Sequence, residues 1–137
     1  MALRALDLMI GDWVKVTDDD TDDSFIGQVK AIDELENINV QEGEDVAYPY
    51  SIDCLEPIPL TPEILEKNGF TKDKEIDQWY FKSDDRLDMG LLAVGIDDGC
   101  GIGFCVIRNG AITYYCKYVH ELQHYLRLIG GAKEIEL

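Results

Sequence analysis

Cysteine is scarce, with four residues, Cys54, Cys100, Cys105 and Cys116, and none of them in a C-x-x-C pair. That spacing excludes a zinc ribbon or a dithiol redox motif and leaves isolated thiols. No apolar run is long enough to span a bilayer, and residues 1–10 carry Arg4 and Asp7 where a secretory leader would be apolar. A cytoplasmic protein with reduced thiols and no membrane association is therefore expected. Bases are also few, 12 against 28 acids, for a formal net charge of -16. Such a field repels phosphate backbones and anionic lipid, so direct nucleic-acid binding is not expected, whereas a basic protein partner would be attracted.

What is present is enough for folding. Apolar residues make up 46% of the chain, with seven tyrosines and two tryptophans, the composition of a globular protein. The charge is uneven, since residues 1–59 carry 15 acids and 3 bases while residues 60–137 carry 13 and 9. A boundary is expected near Pro59, where Pro57-Ile58-Pro59 makes a stiff joint. The chain is thus read as an acidic module, 1–59, followed by an α+β unit, 60–137.

In the first module, short alternating segments follow one another: Trp13 to Val16, Phe25 to Ile32, Ile38 to Val40, Val46 to Tyr50, and a closing strand after Ser51. Five carboxylates between Asp18 and Asp23 mark an exposed loop, with solubility or weak cation binding as its role. It is not an EF-hand, because Asp23 and Val29 stand where the loop needs Gly and Glu. Gly11-Asp12-Trp13-Val14, Gly27-Gln28-Val29 and the turn and strand Ile52-Asp53-Cys54-Leu55-Glu56-Pro57-Ile58 resemble SH3-like small barrels. That resemblance implies an aromatic recognition groove, for which Trp13, Phe25, Tyr48 and Tyr50 are the candidates. The same rings would also fill so small a barrel.

The second unit opens on a fully punctuated helix. Thr61 caps it, Pro62 occupies its first position, Gly69 closes it, and Phe70 folds back on Leu65. A four-stranded antiparallel meander is expected next, through Gln78–Lys82, Met89–Ile96, Cys100–Ile107 and Ala111–Lys117, its last turn a type I′ Asn109-Gly110. A helix from Tyr118 to Ile129, ended by Gly130-Gly131, would cover it, and Lys133 to Leu137 could add an edge strand. The expected fold is therefore β-rich α+β, an SH3-like small barrel followed by a four-stranded meander under a C-terminal helix.

The last helix contains His120-Glu121-Leu122-Gln123-His124, which matches H-E-x-x-H. Two imidazoles four residues apart share a helix face and could hold zinc with Glu134 as third ligand, leaving Glu121 to activate water. Against this, Val119, Leu122, Leu126 and Ile129 form the apolar stripe of a packing helix, and Arg127 places a cation beside the histidines. Cys116 could join the two histidines as a thiolate ligand, or act as a nucleophile, if the helix began there. The commoner alternative is a buried, inert thiol.

Across nearly the whole chain, three stretches are similar to a group of short uncharacterised proteins of gut Bacteroidales. They are Ile10-Gly11-Asp12-Trp13-Val14, Glu56 through Phe70, and Lys117 through His124. The resemblance implies no known activity and a second histidine that varies among members. The sequence thus favours a non-enzymatic binding or adaptor protein working through protein contacts, with no cofactor. The alternatives are a small zinc hydrolase built on His120, Glu121 and His124, and a structural or homo-oligomeric component using strand edges.

Overall fold

The computed structural model describes residues 3–17, 23–35, 37–76, 78–81, 92–96, 103–108, 111–128 and 134–137. The acidic loop at 18–22, the expected turn at 109–110 and the glycine helix end at 130–131 lie outside them. Two compact units form, Met1–Ile58 and Pro59–Leu137. Together they make an α+β protein with two open five-stranded antiparallel sheets and a C-terminal helix.

The first sheet contains β1 (Trp13–Thr17), β2 (Ser24–Ile32), β3 (Asn37–Gln41), β4 (Tyr48–Ser51) and β5 (Leu55–Glu56), in the spatial order β4-β3-β2-β1-β5. Alternation sets its faces. Val14 and Val16 are fully buried while Lys15 between them is exposed. Entry to β1 is fixed by Asp12, itself buried, whose carboxylate accepts the Met9 N–H at 2.8 Å. Gly11 precedes it at φ 95°, the left-handed region that glycine reaches without strain. Gly11 N–H donates to the Val29 carbonyl at 2.7 Å, and Val29 N–H returns a bond to the Asp12 carbonyl at 2.9 Å. Between β2 and β3 the Asp33 carboxylate accepts the N–H groups of Leu35 and Asn37, at 2.8 and 2.9 Å. Those bonds, that to Asn37 above all, hold the Asp33 carboxyl below its ordinary range. Leu3, Leu8, Val14, Val16, Val29, Ile38, Val40 and Leu55 form the core.

This arrangement corrects the expected SH3-like barrel. Closure would require β4 and β5, the two edges, to share a ladder. Among the described residues each pairs on one side alone, β4 with β3 and β5 with β1. Two local features disfavour closure: β5 is two residues long, and Pro49 in β4 has no N–H to donate.

The second unit begins with α1 (Pro62–Lys67), where the Thr61 hydroxyl accepts the Ile64 N–H at 3.3 Å. Its sheet contains β6 (Phe70–Lys72), β7 (Gln78–Phe81), β8 (Leu92–Ile96), β9 (Phe104–Arg108) and β10 (Ala111–Cys116), in the order β10-β9-β8-β7-β6. The expected four-stranded meander thus has five strands. Phe70 does more than close α1, since Phe70, Thr71 and Lys72 pair with Phe81, Tyr80 and Trp79. Trp79 is 3% exposed, edge-on to Phe104 at 6.1 Å, with its indole N–H donating to Glu66 Oε1 at 3.3 Å. Glu134–Leu137 forms no strand, contrary to the edge strand expected there.

Helix α2 (Val119–Leu128) starts three residues after β10 ends. Val119, Leu122 and Leu126 are buried as the stripe predicts, and so are His120, Gln123 and Tyr125. The buried arc is therefore wider than the aliphatic stripe and includes one of the two histidines. Tyr125 stacks on Tyr114 at 5.2 Å, and its hydroxyl lies 2.7 Å from that of Thr113. Among the described residues no helix is long and apolar enough to cross a membrane.

Candidate functional site

The H-E-x-x-H helix assembles only part of a metal site. His120 is 2% exposed and stacks on Tyr118, with ring centroids 5.9 Å apart and planes at 13°. His124 meets it edge-on at 5.6 Å. The His120 Nδ1 atom is buried with no hydrogen bond to it, although the residue has other interactions. Glu121 is committed elsewhere. Its Oε1 accepts the backbone N–H groups of Lys117 and Tyr118, both at 3.0 Å. These are orphan donors at the start of α2, so Glu121 completes half a capping box and faces the backbone. Glu134 lies 3.9 Å from the Arg127 guanidinium, with 65% of its side chain in solvent. Among the described residues no three His, Cys, Asp or Glu side chains are grouped to hold a metal ion.

Cys116 is the last residue of β10, paired with Phe104, so it is not on the helix that carries the histidines. It is 3% exposed. Burial first, then the nearby Glu121 carboxylate and Cys105, pushes its thiol up to about 12. A thiol in that state is neither a nucleophile nor a ready metal ligand near neutral pH.

The aromatic candidates of the first unit divide between the two faces of its sheet. Phe25 pairs with Val16, Tyr50 with Ile38 and Tyr48 with Val40, which places all three on the core face. Phe25 and Tyr50 meet edge-to-face at 5.8 Å and pack on the core, while Tyr48 is 60% exposed. Trp13 alternates with Val14 and belongs to the opposite face, so the four rings do not converge. An open groove of about 530 Å³ is lined instead by Lys15, Ser24, Phe25, Ile26 and Glu42. Of the four rings expected at a binding surface, Phe25 alone lines it. Lys15, Ile26 and Glu42 were not singled out from sequence, although alternation along β1 and β2 already put Lys15 and Ile26 outside the core. Ile26 is 46% exposed, an apolar side chain available for contact.

No family model, no curated protein and no solved structure matches the chain. The resemblance to small barrels fails on the open sheet, and the likeness to short Bacteroidales proteins finds no family model behind it.

Proposed function

We propose that this chain is a non-enzymatic binding protein whose first unit engages an extended, basic segment of a partner protein. The observation that carries the reading is the groove beside Phe25 and Ile26, with Glu42 on its wall. It belongs to a unit bearing 15 acids and 3 bases. An apolar partner residue would lie on the exposed Ile26, and flanking lysines or arginines would approach Glu42. Long-range attraction would raise the encounter rate more than the final affinity. Cysteines spaced without any C-x-x-C pair fit a reducing, cytoplasmic setting. Nucleic acid and anionic membrane are disfavoured as partners by the same charge.

The test is fluorescence anisotropy against an array of extended peptides in which one aliphatic or aromatic residue is flanked by lysines. Binding should weaken at least tenfold between about 50 and 300 mM salt, and again in Ile26→Asp and Glu42→Lys. Equal binding by both variants, or a preference for acidic peptides, would overturn the reading.

A further inference from the structure

Residues 1–59 hold 15 acids and 3 bases, yet one of those bases, Lys15, lines the groove. Of the other two, Arg4 is taken by Asp7, its guanidinium 3.0 Å from the carboxylate. Lys15 is exposed on β1, on the face opposite Val14 and Val16. Its direct partner across the β1–β2 ladder is Ile26, which puts the two side chains about 5 Å apart at Cβ. Glu42 stands on the other side of Ile26, because it follows Gln41, which pairs with Gln28 across the β2–β3 ladder. With the strands in the order β3-β2-β1, the groove thus presents a carboxylate, an aliphatic side chain and an ammonium in succession. Among the described residues no ion pair joins Lys15 to Glu42, nor to Glu56, its neighbour across the β1–β5 ladder. Both charges on the groove walls are therefore open to a partner. A uniformly basic segment satisfies Glu42 but sets a cation against Lys15, and like charges repel at that range.

We infer that Lys15 is a specificity-determining residue of the groove, selecting a carboxylate on one side of the partner's aliphatic residue while Glu42 selects a base on the other. This rests on the reading of the groove as a site for an extended, basic segment, and it narrows the segment to one that is basic overall but acidic at one position. The spacing follows from the geometry of extended chains. Alternate side chains share a face and lie about 6.6 Å apart, against about 4.8 Å between neighbouring strands. The acid and the base therefore sit two residues to either side of the aliphatic residue, with the flexible stems of Lys15 and Glu42 taking up the difference. These three side chains carry no information on chain direction, so the acid can precede or follow.

The experiment uses the full chain and two labelled peptides of one composition, capped at both ends. In Lys-Gly-Asp-Ser-Leu-Ser-Lys-Gly-Lys the acid lies two residues from Leu, and in Asp-Gly-Lys-Ser-Leu-Ser-Lys-Gly-Lys it has changed places with the end lysine. Net charge is equal, so long-range attraction is equal and a difference in affinity reports the groove walls. The first peptide should bind the wild type about threefold more tightly than the second, the scale of an exposed ion pair. Lys15→Gln should erase that preference by weakening the first peptide and strengthening the second, whereas Lys15→Arg should keep it. Equal binding of the two peptides by the wild type, with both weakened by Ile26→Asp, would overturn the role of Lys15 and leave the groove standing. A preference that survives Lys15→Gln would overturn it as well. Binding of neither peptide would overturn both the role and the groove.

Discussion

Glu121 accepts the Tyr118 N–H at 3.0 Å, and through that bond the one carboxylate of the H-E-x-x-H sequence is spent on starting its own helix. Glutamine serves the same capping position. Glu121→Gln should therefore unfold in urea close to the wild type, while Glu121→Ala should lose about 1 kcal/mol. A general base would show the opposite pattern, with Gln as damaging as Ala to any hydrolytic activity.

Zinc should have little to hold. Among the described residues the two imidazoles have no third ligand grouped with them, and Glu134 is engaged by Arg127. One equivalent of zinc added to chelator-treated protein should leave the melting temperature unchanged, and His124→Ala should not alter that result. A zinc-dependent rise that His124→Ala removes would restore the metal reading.

Cys116 predicts a pH dependence with a definite sign. Its thiol, ordinarily near 9, is pushed up to about 12 by burial, the Glu121 carboxylate and Cys105. Between those values the unfolded chain has released a proton that the folded chain keeps, so stability falls as pH rises through the window. The slope from this group is at most about 1.4 kcal/mol per pH unit. Tyr114, raised chiefly by burial and then by Glu121, adds in the same direction. Denaturant unfolding from pH 8 to 11 should show a flatter decline in Cys116→Ala than in the wild type.

The same shift governs reactivity. At pH 8 a thiol titrating near 12 is ionised in about one molecule in ten thousand. The half-buried Cys54 should therefore be alkylated well before Cys116 under native conditions, as read by peptide mass mapping. Equal labelling rates would show that Cys116 is not enclosed.

Gly27 is a steric prediction. A Cβ there would lie 2.6 Å from Val40 Cγ1 and 2.7 Å from the Gln41 carbonyl oxygen. The side chain could rotate, but the backbone oxygen is fixed by the β2–β3 ladder. Gly27→Ala should cost about 1–3 kcal/mol in urea unfolding. A loss below a few tenths would mean the strands separate more easily than they pack.

Local code was legible where it was self-contained. Thr61, Pro62 and Gly69 announce α1 because cap, first turn and left-handed close lie within nine residues of one another. The alternation of Val14 and Val16 likewise announces a buried face. Partners distant in sequence were not legible. A five-strand run reads the same whether its edges meet or stay apart, so nothing local separates a barrel from an open sheet. Phe70 looks from its neighbours like a helix-closing contact, because its pairing with Phe81 lies across a turn. Asn68 beside Gly69 looks like an ordinary helix end, and its bond to Glu136 joins residues 68 positions apart. In α2 the histidine pattern was visible, but the use of Glu121 depends on where the helix begins, and a shift of that start changes which N–H groups need a carboxylate.

The two tryptophans fall one to each unit, Trp13 half-buried at the start of β1 and Trp79 enclosed beside Phe104 and Glu66. Nature has thereby fitted each sheet with its own lamp. Replacing either indole with phenylalanine leaves a single emitter, so the order in which the two halves come apart can be watched by colour without attaching a dye.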